Sequence, residues 1–95
     1  MLAKNVHKEK QAVLRNLCTI PGVGKSIALD LWNLDIRSVS GLKNKNPETL
    51  YRKHCIQVGR SVDRCLLYVF RCAVYYASNQ KHNPNLLLWW NWKDP

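Results

Sequence analysis

In the stretch Ile20-Pro21-Gly22-Val23-Gly24-Lys25-Ser26, two glycines flank one apolar residue, with a proline in front and a cation and a hydroxyl behind. Glycine reaches positive φ and has no side chain to keep a partner off the backbone. Proline suits a turn or a helix start but does not continue a preceding helix. Amides that follow such a turn lack intrahelical acceptors and lie at the positive end of a helix dipole, which is the chemistry of phosphate binding. The ending Gly24-Lys25-Ser26 is also that of a nucleotide triphosphate loop. That loop needs a glycine five residues earlier, where this chain has Thr19, and a preceding strand, where a helical pattern stands here. Triphosphate binding is therefore rejected.

Other chemistry-bearing residues are weaker candidates. Arg60, Arg64 and Arg71, followed by Tyr75 and Ser78, fall on one side of a long helical segment. They form either a solvated face or a second place to track phosphates, with Asp63 as an orienting partner or an acid at the helix start. Cys18, Cys55, Cys65 and Cys72, with His54 and His82, lack the paired spacing of zinc or iron-sulfur sites, so no metal or other cofactor is expected. Reduced, mostly buried thiols are the expectation. Trp89, Trp90 and Trp92 either close the core or offer a stacking or protein-docking point, with at least one left partly exposed. The acids are few and scattered, and no nucleophile has an evident base and carboxylate around it, so an enzyme is not expected.

These residues must be positioned by helices. Ala12, Val13, Leu14 and Leu17, with Val6 extending the face, predict a short amphipathic helix over 8–18. A second follows over 25–34, burying Ile27, Ala28, Leu31 and Leu34, with Lys25, Asp30 and Asn33 on the wet side. The connector 35–46 plugs Ile36 and Val39 into the core, and Ser38 or Ser40 caps a brief turn. Asn46-Pro47-Glu48 opens a third helix through His54, which Ile56 to Arg60 interrupt. The longest helix is expected over 61–78, and Pro84 starts a final aromatic helix over 84–92. No segment alternates as a strand. The fold class is all-α, with about five helices in one domain: a first unit at about 8–34, the connector, a second unit at about 47–78 and the aromatic helix.

The balance of charge says what such a domain would meet. Fifteen Lys and Arg against six Asp and Glu leave a formal net charge of +9 over 95 residues, and the pI is near 9.7. A polyanionic partner is favoured. No apolar signal region and no run of about 18 apolar residues is present, so a cytoplasmic protein without a membrane partner is expected.

Val23-Gly24-Lys25-Ser26-Ile27 and Val58-Gly59-Arg60-Ser61-Val62 match position by position, which suggests two related units. The second has Gln57 and Ile56 where the first has Gly22 and Pro21, so it is the degenerate copy. Residues 17–28 resemble the helix-hairpin-helix motif, with Ala28 at the small position four after the second glycine. Residues 61–75, with Trp89-Trp90-Asn91-Trp92-Lys93-Asp94, resemble a small bacterial family of pathogenicity-locus or mitomycin-resistance helix-hairpin-helix proteins, and the likeness covers nearly the whole chain. The resemblance implies sequence-nonspecific DNA binding, with phosphates on Gly22, Val23, Gly24, Lys25 and Ser26. It implies a weaker second contact at Gly59, Arg60, Ser61 and Arg64, and a link to DNA repair or damage resistance. An adaptor docking a protein at Trp89, Trp90 and Trp92 is the alternative.

Overall fold

The computed structural model describes the backbone of residues 2–95 and the side chains of residues 8–95, so the side chain of Val6 lies outside the described residues. Four α-helices form: α1 (Leu2–Leu17), α2 (Lys25–Asn33), α3 (Pro47–Val58) and α4 (Cys65–Ser78). Short 3-10 turns occupy Val39–Leu42, Pro84–Leu87 and Trp89–Trp92. The described residues contain no strand and no helix long and apolar enough to cross a membrane.

Each boundary has a local cause. α1 stops where Thr19 and Ile20 donate back to the carbonyls of Asn16 and Leu17, just ahead of Pro21. Ser38 Oγ accepts from Gly41 and starts the connector turn. Asn46 accepts from the Thr49 amide and Pro47 takes the first helical position of α3. Gly59, at φ +74, ends α3 in the left-handed region, and the Arg60 amide reaches back to the Cys55 carbonyl. That is a Schellman closure, which glycine makes without a side-chain penalty.

The core is one cluster drawn from all four α-helices, the first turn and the connector. Leu17 from α1, Ile20 and Val23 from the first turn, Ala28 and Leu31 from α2 and Leu50 from α3 surround Phe70 of α4, which is fully buried. The connector drives Ile36 and Leu42 into this cluster, while Val39 packs at its edge. A bond from the Val39 amide to Asn16 Oδ1 at 3.1 Å ties the connector to α1.

Several expectations from periodicity are corrected. The longest helix is α1, at 16 residues, not the segment after Gly59. α3 continues through Ile56 and Val58, because their exposed side chains do not oppose a helix closed by backbone bonds. α4 begins at Cys65, since residues 60–63 lie outside any helix behind the Gly59 cap, so Arg60 precedes the helix and Arg64 is only its cap. The aromatic segment is two 3-10 turns broken at extended Leu88 (φ -97, ψ 110), not one helix. Asp30 is half-buried rather than wet; burial pushes its carboxyl up while neighbouring His54 pulls it down. Cys72 is buried, yet Cys18 and Cys55 are half-buried and Cys65 is exposed.

Candidate functional site

Between α1 and α2 the chain makes a type II turn. Pro21 and Gly22 are its central residues, the Val23 amide donates to the Ile20 carbonyl at 3.1 Å, and Gly22 holds φ +84. Ile20 and Val23, both buried, pin the two ends of this turn into the core. Gly24 then caps α2 with φ -97 and ψ -171, an extended conformation open to any residue. Its carbonyl accepts the first helical bond, from Ala28 at 2.9 Å.

The amides of Gly24, Lys25, Ser26 and Ile27 find no acceptor among the described residues. The first turn of α2 carries no acid and no side-chain cap. α3 by contrast is capped by Asn46, and at the start of α4, whose cap residue Arg64 makes no side-chain bond to it, Asp63 Oδ1 accepts from the Cys65 amide at 2.9 Å. Of the three α-helices whose caps are described, α2 alone leaves its first-turn amides without a side-chain acceptor. Lys25 and Ser26 stand exposed beside them.

Lys25 also lines a groove with Gln11, Leu14 and Arg15 of α1 and with Cys18 just after it. Arg15 thus shares this groove with Lys25 as a second cation. The spacing 11, 14, 15, 18 is one helical stripe, and that signal was available to locate Arg15 from sequence. Gly22 is exposed on one side but meets Trp89 on the other, where an added Cβ would lie 3.2 Å from Trp89 Cδ1.

The second glycine stretch is built differently. Gly59 closes a helix whereas Gly24 opens one, and Val58 is exposed where Val23 is buried. The start of α4 already holds an anion of its own, because amide hydrogen bonding keeps the Asp63 carboxyl below the usual carboxylate range. Arg60 and Ser61 are exposed and precede the helix. Arg64 turns to the C-terminal segment, where its Nε lies 2.6 Å from Asp94 Oδ2.

Asp94 is the centre of a clamp that periodicity did not reveal. Tyr68 donates to it at 3.1 Å and Arg71 Nη1 at 3.0 Å. Arg71 also bonds the Trp92 carbonyl at 2.8 Å and Glu48 at 3.0 Å. Arg71 is therefore bound up in fixing the last residues onto α4, with Trp92 against Tyr75 at 5.5 Å. Trp89 packs at the core edge, while Trp90 is half-exposed.

Hydrogen bonds from Arg64 above all, then from Arg71 and Tyr68, hold the Asp94 carboxyl well below its ordinary value. A depressed native value means that the clamp contributes fully above the unfolded carboxyl range, near pH ~3.9, and weakens as pH falls below it. Tryptophan emission is expected to shift to the red on acidification well below that range. Asp94→Asn, which has no proton to gain there, should flatten the titration, and an unchanged curve would refute the clamp.

No group of three or more His, Cys, Asp or Glu among the described residues is placed to hold a metal ion. Burial pushes the Cys72 thiol up, and a hydrogen bond with Asp63 does the same for Cys65, so neither is an activated nucleophile.

Comparison with known proteins adds a family. The family model Cdd1, described as pathogenicity locus, matches residues 10–95. The mitomycin resistance protein McrB of Streptomyces lavendulae is 29% identical over 77 residues, covering 81% of this chain and 70% of that protein. No solved structure matches the chain.

Proposed function

The chain belongs to the Cdd1 pathogenicity-locus family, and from that premise we propose that it is a sequence-nonspecific DNA-binding protein that serves damage resistance in the cytoplasm. In this reading α1, the Ile20–Val23 turn and α2 act as a helix-hairpin-helix unit. The unpaired amides of residues 24–27 receive a backbone phosphate, Lys25 and Arg15 neutralise it and its neighbour, and the Ser26 hydroxyl donates alongside. One observation carries the reading: α2 is left uncapped on an exposed, basic face while α3 and α4 supply their own acceptors. Relative to Ser, Asp or Asn at position 24, the glycine cap of α2 forgoes only about a few tenths of a kcal/mol, and the missing first-turn acid a further ~0.3–1 kcal/mol. A ligand that docks there recovers it.

The second stretch has a lesser role. With Asp63 on the α4 amides and Arg64 on Asp94, Gly59, Arg60 and Ser61 offer chiefly the Arg60 side chain to a phosphate. Binding should be electrostatic and modest, in the ~10⁻⁴ to 10⁻⁶ M range of non-specific complexes. A fluorescence titration of duplex DNA at a series of salt concentrations tests this. The logarithm of affinity should fall with the logarithm of salt at a slope of about 2 to 3, at ~0.9 per neutralised phosphate. Absence of binding at low salt would overturn the proposal and favour a protein adaptor, for which half-exposed Trp90 beside exposed Leu88 is the supporting feature.

A further inference from the structure

Beyond the C-terminal end of α2, the connector and α3 line a cavity of about 580 Å³, a volume in the range of small-molecule sites. Its apolar lining is Leu34, Ile36 and Leu50, all buried. From the α3 side come the cap Asn46, Thr49 and Lys53, which recur at helical spacing and so share one face. The connector contributes Arg37, Ser38 and Lys45. Its backbone is fixed at both ends. The Ile36 amide donates to the Leu31 carbonyl at 3.0 Å and the Asn44 amide to Ser78 Oγ at 2.9 Å. Asp35 and Asn44 turn the chain at φ +66 and +59, a region that these two residue types tolerate. A cavity between fixed walls loses little freedom when it binds.

Charge identifies what this cavity would take. Three cations, Arg37, Lys45 and Lys53, stand around it against the one carboxylate of Asp35, a net charge of +2. Lys45 and Lys53 are exposed and have no ion-pair partner among the described residues. Arg37 is held in place: its Nη1 donates to the Trp32 carbonyl at 2.6 Å, and its guanidinium carbon lies 3.6 Å from the centre of the Trp32 ring. Asp35 stays 3.6 Å from Nη2. A guanidinium has five N–H donors, so Arg37 keeps several for a ligand. The Thr49 hydroxyl and the backbone amides of Arg37 and Ser38 find no partner among the described residues. Donors and cations thus outnumber acceptors around an apolar base.

We propose that this cavity binds a small phosphate monoester, a sugar phosphate or a nucleoside monophosphate, independently of any DNA at α2. The phosphoryl group rests on Arg37, Lys45 and Lys53, and the Thr49 hydroxyl donates to it. A monoester carries nearly two negative charges at neutral pH and three acceptor oxygens, which matches the charge and the donors here. A phosphodiester within duplex DNA carries a single charge and has a sugar on either side, so it suits an open surface better than a cavity. The carbon skeleton of the sugar covers Leu34, Ile36 and Leu50. Asp35, the one carboxylate, accepts from its hydroxyls.

The test is calorimetric titration of the protein with adenosine monophosphate, ribose 5-phosphate and adenosine at low salt. Both phosphate esters should bind at least tenfold more tightly than adenosine, the scale of one charge-assisted hydrogen bond. The tighter of the two identifies the body that the cavity prefers. Lys45→Ala combined with Lys53→Ala should weaken both esters by tenfold or more. Both lysines are exposed, and circular dichroism checks that the helices remain. Lys25→Glu, at the other end of α2, should leave ester affinity within about threefold. Absence of ester binding, adenosine binding as tightly as its monophosphate, or ester affinity unchanged in the double lysine variant would each overturn the proposal. So would a double variant that loses affinity for unphosphorylated duplex DNA as steeply as for the esters, since the cavity would then serve a DNA phosphodiester.

Discussion

Lys25→Glu is expected to lower affinity for duplex DNA by one to two orders of magnitude at low salt and to leave the folded protein as stable as before, or more so. Lys25 is the first residue of α2, exposed, with no acid in its turn. A glutamate there would remove a cation from the phosphate and put a carboxylate onto the uncapped amides. The same carboxylate would supply the first-turn acid that α2 lacks, worth ~0.3–1 kcal/mol to the helix. Binding and stability should therefore move in opposite directions, which loss of folding cannot mimic. The salt slope should drop by about 0.9 as one phosphate contact disappears. Unchanged affinity with an unchanged slope would mean that phosphate does not sit at α2.

The second large effect separates the two glycines of the turn. Gly22→Ala should destabilise the protein by about 2 kcal/mol, combining a non-glycine residue at φ +84 with a Cβ placed 3.2 Å from Trp89 Cδ1. Either the turn or the C-terminal tryptophan segment must give way, so tryptophan emission should shift along with the urea midpoint. Gly24→Ala meets nothing within 4 Å and keeps an ordinary φ of -97, so it should cost less than ~1 kcal/mol. Equal losses at both positions would show that the turn is not held as described. The contrast also gives each glycine a different purpose: Gly22 makes the turn, whereas Gly24 leaves the α2 amides uncovered.

The helical class, the connector cap at Ser38, the Asn46-Pro47 start of α3 and the break at Pro21 were legible because each depends on neighbours within four residues. The Val23 to Ile27 and Val58 to Val62 match misled for the same reason. Identical residue types in a row do not say whether a glycine opens or closes a helix. That is decided by backbone bonds such as Arg60 to Cys55, and by whether the valine is buried, as Val23 is and Val58 is not. The arginine stripe failed differently. Arg64 and Arg71 do share a side, but their partner, Asp94, is more than twenty residues away in sequence and arrives only when the last segment docks. Periodicity carries no information about such a meeting. The uncapped start of α2 was half legible: Gly24 without a neighbouring acid could be read, whereas Asp63 and Asn46 serving the other helices emerged only from geometry.

The most direct measurement is the amide spectrum of ¹⁵N-labelled protein during titration with a short duplex at low salt. The amides of Gly24, Lys25, Ser26 and Ile27 should shift progressively downfield with DNA, more than those of Cys65 to Tyr68 at the start of α4, where Asp63 already accepts from the Cys65 amide. Binding that leaves residues 24–27 unmoved, or that shifts the start of α4 instead, would contradict it.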